Sequence, residues 1–142
     1  MNEIKIFTDG GAINNPGKAA IGVVIIYNGN LKEYAKEIGI KTNNEAEYEG
    51  VIFALRKIKQ LLGKDRIKEL KITLHLDSEL VGKQIKGEIK ILDEKLQKYF
   101  LEVYNLKFDF PKLEIKIIPR EENKRADSLV KSILFKKPKN IF

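Results

Sequence analysis

The chain has 142 residues, 43% hydrophobic and 33% charged, with a formal net charge of +7, one histidine and no cysteine. That length suits a single domain, with a core over about residues 4–135 and a short basic tail over 136–142. The lack of cysteine excludes disulfides, thiolate metal sites and cysteine nucleophiles, and one histidine leaves oxygen as the metal-ligating atom on offer.

No apolar run approaches the ~20 residues of a membrane span, and Met1-Asn2-Glu3-Ile4-Lys5 has no signal-peptide pattern, so a soluble, cytoplasmic protein without a membrane partner is expected. Ile4, Ile6 and Thr8 alternate with Lys5, Phe7 and Asp9, which predicts a strand ending on Asp9 and broken by Gly10-Gly11. Asn14-Asn15-Pro16-Gly17 reads as a turn. The apolar run Ala19 to Tyr27 then predicts a strand buried on both faces, and Asn28-Gly29 a hairpin turn. Leu31 to Ile38 is a more polar strand, expected at the sheet edge, before a loop over Gly39 to Asn43.

From Asn44 to Leu62, Tyr48, Val51, Ile52, Leu55, Ile58 and Leu62 recur at helical spacing, and Gly63 stops the helix. Ile72, Leu74 and Leu76 predict a fourth strand ending on Asp77. Two helices follow, Ser78 to Lys86 and Leu92 to Tyr104, split near Gly87. Leu113, Ile115 and Ile117 mark a fifth strand closed by Pro119. A last helix over about Asn123 to Phe135 carries Ala126, Leu129, Val130, Ile133 and Leu134 as its apolar stripe. The fold class is therefore α/β.

Four acidic motifs punctuate this order: Thr8-Asp9-Gly10-Gly11, Asn44-Glu45-Ala46-Glu47, Leu76-Asp77-Ser78 and Arg125-Ala126-Asp127-Ser128. Gathered by folding, their carboxylates would repel one another unless a cation neutralised them, and carboxylate oxygens are the preferred ligands of a hard ion such as Mg²⁺. Each acid also has an ordinary local explanation. Glu47 could close a capping box begun by Asn44, Asp127 could complement a helix dipole, and Asp9 and Asp77 could be turn residues. The basic surface suits a polyanion such as nucleic acid, although excess lysine also serves solubility.

The ordered set TDGG with NPG after it, TNNEAEYEG, LDSELV and IPREENKRAD resembles the type 1 ribonuclease H family, in the archaeal-like and bacterial form without a basic protrusion. The resemblance covers about residues 4–135. It implies a ribonuclease H-like fold, a five-stranded mixed sheet flanked by helices with the first three strands antiparallel. It also implies hydrolysis of the RNA strand of an RNA–DNA hybrid, with 5′-phosphate and 3′-hydroxyl ends, by a monomer holding two Mg²⁺ or Mn²⁺ ions when substrate is bound. Asp9, Glu47, Asp77 and Asp127 fall on the family's four metal-binding carboxylates, with Asp9 bridging both ions. Asp127 would complete the water-activating side, and Glu47 and Asp77 the leaving-group side.

Arg120 stands where most bacterial relatives carry a flexible-loop histidine; it would grip a phosphate or help release product, or else be a surface arginine paired with Glu121 or Glu122. Gly10, Gly11, Asn15, Asn43 and Asn44 match substrate-binding positions, and Thr42 with Asn44 resembles the family's pocket for a DNA phosphate. Glu79 departs from the glutamine that many relatives carry there. Lys83, Lys86, Lys90, Lys95 and Lys98 form either a phosphate track or the solvated face of two helices. His75 reads as structural. Double-stranded RNA as an added substrate, and a catalytically idle nucleic-acid-binding module, are the alternatives.

Overall fold

The computed structural model describes residues 3–136. Five strands, β1 (Glu3–Ala12), β2 (Gly17–Tyr27), β3 (Asn30–Lys41), β4 (Lys71–Leu76) and β5 (Leu113–Ile117), form one sheet in the order β3-β2-β1-β4-β5. The first three pair antiparallel, while β4 runs parallel to β1 and to β5. Helices α1 (Asn43–Leu62), α2 (Lys64–Ile67), α3 (Glu79–Ile85), α4 (Glu94–Lys107) and α5 (Lys124–Leu134) flank it. The sheet, its antiparallel opening and the edge position of β3 match the sequence expectation; the one-turn α2 has too few residues to leave a periodic signal.

Strand alternation assigns the faces. Ile4 and Ile6 of β1 and Val23 and Ile25 of β2 join Tyr48, Val51, Leu55 and Ile58 of α1 in the main core, with Ile72, Leu74 and Leu76 of β4. The opposite face is covered by α5, whose Val130 and Leu134 pack on Ala20. Because β2 serves both cores, its residues from Ala19 to Ile25 are all buried, as the continuous apolar run predicts. Asn28 and Gly29 both take positive φ, the geometry of the tight hairpin turn.

Two sequence expectations are corrected. Gly10-Gly11 does not break β1, which continues to Ala12 with Asp9 paired to Gly22. Gly10 instead leaves room for α1, since a Cβ there would overlap the Ala46 carbonyl. Likewise Gly39 opens no loop: it takes φ 83° where the β2–β3 register shifts beside Ala19 and Ala20, and β3 runs on to Lys41. The call on the tail beyond Lys136, including its Ile141-Phe142 end, lies outside the described residues.

Candidate metal centre and nucleic-acid groove

The parallel register places the first two acids. Phe7 pairs with His75, so the same register carried two residues on sets Asp9 beside Asp77, just past the end of β4. Glu47 arrives from α1. The helix begins one residue earlier than its apolar spacing suggests, because Thr42 is the N-cap: its Oγ1 accepts from the Glu45 amide at 3.1 Å, and Glu45 Oε1 accepts from the Thr42 amide at 2.9 Å. The capping box is thus Thr42 to Glu45, not Asn44 to Glu47. Glu47, two residues further on, takes no part in the cap, and the close approach over Gly10 lays it against Asp9.

Carboxylate oxygens of Asp9, Glu47 and Asp77 lie within 4.8 Å of one another. Asp9 and Glu47 are each only 7% exposed, and Glu47 Oε2 is buried without a hydrogen-bond partner. Burial, with Asp77 and Asp127 nearby, pushes the Asp9 carboxyl up from its ordinary 3.8 to about 6, against opposing hydrogen bonds from Glu47 and the Gly10 backbone. Burial and then the Asp9 charge hold Glu47 well above the usual carboxylate range. An orphaned carboxylate oxygen in a crowd of buried acids fits a hard divalent cation, which would supply the missing partner and the neutralising charge.

These acids floor an open groove of about 570 Å³ whose walls include Gly10, Gly11, Asn43, Asn44, Ser78, Glu79, Arg120 and Asp127. Asp127 lines it from the first turn of α5, outside the close trio, where its Oδ2 accepts from Lys131 Nζ at 2.9 Å.

A family model described as reverse transcriptase-like matches residues 7–133. LC11-RNase H1, isolated from compost by a metagenomic approach, superposes with a TM-score of 0.88 at 41% identity, over 96% of this chain and 98% of its own. The chain belongs to the type 1 ribonuclease H family. Its enzyme class is ribonuclease H. The RNase H1 of the halophilic archaeon Halobacterium salinarum superposes at 32% identity with a TM-score of 0.84, over 95% and 99% of the two chains. In the sequence comparison this chain spans 64% of the length of the curated H. salinarum Ribonuclease HI, at 35% identity. The Putative hydrolase EbsB of Enterococcus faecalis is 32% identical over 94% of this chain and 95% of that protein. LC11-RNase H1 has also been solved in complex with an RNA/DNA hybrid; that structure matches at 40% identity with a TM-score of 0.85, over 94% of this chain and 97% of its own.

Within this ribonuclease H the remaining sequence candidates divide. Arg120 sits exposed at the groove rim in a 3₁₀ turn, Arg120–Glu122, and among the described residues it pairs with neither Glu121 nor Glu122. Asn15 and Thr42 lie outside the acidic groove. They line, with Asn44, Lys95 and the acidic Glu45, Asp93 and Glu94, a neighbouring depression of about 490 Å³. Asn15 and Asn43 also do structural work: the Asn43 amide donates to Asn15 Oδ1 and the Ala12 amide to Asn43 Oδ1, both at 2.8 Å, which ties the β1–β2 turn to the start of α1. Glu79 and Lys83 form a 3.0 Å ion pair on the exposed face of α3, and Lys86 pairs with Glu88. His75 stacks on Phe7 and bonds the Ile6 carbonyl through Nδ1 at 2.9 Å, a structural role.

Sequence reasoning missed Asn123. It is 1% exposed, and its Nδ2 donates to Thr8 O at 2.8 Å and to Asp77 Oδ2 at 3.1 Å. The signal available was an asparagine at a helix start, which reads as a cap.

Proposed function

We propose that this ribonuclease H is a cytoplasmic, monomeric, metal-dependent endoribonuclease that hydrolyses the RNA strand of RNA–DNA hybrids, leaving 5′-phosphate and 3′-hydroxyl ends. The observation that carries the reading is the convergence of Asp9, Glu47 and Asp77 within 4.8 Å, with a buried Glu47 oxygen that no protein group satisfies. The complex of LC11-RNase H1 with an RNA/DNA hybrid supports the choice of substrate.

Asp9, Glu47, Asp77 and Asp127 would hold two divalent ions. When bound, Mg²⁺ or Mn²⁺ supplies positive charge that makes water a competent nucleophile and neutralises the leaving 3′-oxygen. The protein's own contribution is placement. The paired interior of β1 fixes Asp9, the end of β4 fixes Asp77, the Gly10 contact fixes Glu47, and the groove admits a phosphodiester backbone above them. Arg120, whose guanidinium donates hydrogen bonds and accepts none, would hold a phosphate at the rim and not abstract a proton. Gly10, Gly11, Asn15, Asn43 and Asn44 offer donors and acceptors for hybrid sugars, and Thr42 with Asn44 would receive a DNA phosphate.

The test is one end-labelled sequence offered as RNA–DNA hybrid, duplex RNA, duplex DNA and single-stranded RNA, with Mg²⁺, Mn²⁺ or chelator. Metal-dependent cutting of the hybrid's RNA strand is expected. Cutting of duplex RNA as well would widen the substrate class, and binding without any cutting would replace the enzyme by an idle nucleic-acid-binding module.

A further inference from the structure

We propose that Asn123 is the positioning residue of the carboxylate site, orienting Asp77 through its side-chain amide at the start of the helix that carries Asp127. The inference rests on reading the carboxylates as a divalent-metal site.

Asn123 occupies the N-cap position of α5, where an asparagine ordinarily turns its side-chain oxygen onto the first helical amides. Here it makes no such bond. Both groups facing its side chain, the Thr8 carbonyl and the Asp77 carboxylate, are acceptors only, so the NH₂ must point at them and Oδ1 away. Oδ1 is then buried without a protein partner. A helix cap has been given up, and a buried acceptor left bare, in exchange for two donated bonds, one to a site carboxylate. Such a local loss is characteristic of residues held by function.

The backbone of the same residue completes the link. The Asp127 amide donates to Asn123 O at 3.1 Å, and the Asn123 amide donates to Arg120 O at 3.0 Å. One buried residue is therefore bonded to the peptide preceding Asp9, to the carboxylate of Asp77, to the amide of Asp127 and to the carbonyl of Arg120. The end of β4 and the start of α5 come from segments 46 residues apart in sequence; Asn123 fixes their separation. Its amide also restrains one Asp77 oxygen, which limits the carboxylate to an orientation with the other oxygen free for a cation.

The experiment compares the parent, Asn123→Ala, Asp77→Asn and the double variant by calorimetric Mg²⁺ titration without nucleic acid, and by steady-state cleavage of the hybrid. Asn123→Ala is expected to weaken Mg²⁺ binding at least fivefold and to lower kcat at least tenfold with KM within threefold of the parent. On the Asp77→Asn background the same change should alter Mg²⁺ affinity by less than twofold. A folded Asn123→Ala with parental Mg²⁺ affinity and kcat, or an equal loss on both backgrounds, overturns the proposal. If the parent itself takes up no Mg²⁺, the metal-site reading fails instead. Should Asn123→Ala not fold, side-chain amide NMR of the parent decides: the Asn123 NH₂ resonances shift on Mg²⁺ addition and in Asp77→Asn if the proposal holds, and stay fixed in both if it does not.

Discussion

At Glu47, burial and the neighbouring Asp9 act in the same direction, and the folded protein holds both carboxyls protonated at a pH where free carboxylates are ionised. The sign of the effect on stability follows. Asp9 binds its proton more tightly folded than unfolded, so its contribution becomes unfavourable as pH rises from near its ordinary 3.8 to about 6, and stays so above that. In chelator, Asp9→Asn should therefore melt higher than the parent at pH 7, the gap closing toward pH 4; a variant melting below the parent at pH 7 would contradict this. Saturating Mg²⁺ should raise the parent's melting temperature and leave the variant's nearly unchanged. Arg120→Ala should lower kcat by about tenfold while changing hybrid affinity by less than about threefold, read from steady-state and binding assays. An unchanged rate would return Arg120 to the plain surface. The acids were legible as residues. Their ranking was not, since Thr42-Asn43-Asn44-Glu45 and Asn44-Glu45-Ala46-Glu47 both fit a capping pattern, and only the continuation of β3 to Lys41 selects Thr42.

Between elements, the positions of α1 and α5 over the sheet are set by missing side chains. A Cβ at Gly22 would overlap the Ala126 carbonyl and come within 2.9 Å of Leu129 Cβ, where α5 crosses the strand partner of Asp9. Gly22→Ala should therefore lift α5, destabilise the fold by about 1–3 kcal/mol in denaturant titration and reduce cleavage by displacing Asp127. Unaltered stability and rate would show that α5 tolerates the shift. Arg125, paired with Glu33 across to β3, anchors the same helix from its outer side. Helix and strand existence was readable from hydrophobic period, because buried stripes must repeat at 3.6 or at two. Close approach has no such signature: Gly10, read alone, is a breaker, and only the backbone of Ala46 pressed against it reveals its use.

For the molecule as a whole, the parallel strands β1, β4 and β5 point the same way, and the site opens just past the end of β4, alongside Asp9 in the carboxyl half of β1. Residues behind that rim carry stability and not chemistry. Leu74, fully buried in β4 between β1 and β5, is such a residue. Leu74→Ala should cost about 2–5 kcal/mol in equilibrium unfolding yet leave kcat at low temperature within twofold; a parental unfolding midpoint would contradict the assigned core. The α/β class and the antiparallel opening were legible because periodicity and turn residues agreed, and the five-stranded mixed sheet was implied by the family resemblance. The bonds of Asn123 were not, since they join Thr8, Asp77 and the start of α5, three segments that only the completed sheet brings together.

The most direct measurement is cleavage of a labelled RNA–DNA hybrid by the parent and by Asp9→Asn, with Mg²⁺ or chelator, alongside hybrid binding by both. Cutting by the parent in Mg²⁺ alone, with none by Asp9→Asn and binding retained, is the predicted result. Cleavage by Asp9→Asn at the parental rate, or by the parent in chelator, would contradict a catalytic metal held by Asp9, Glu47 and Asp77.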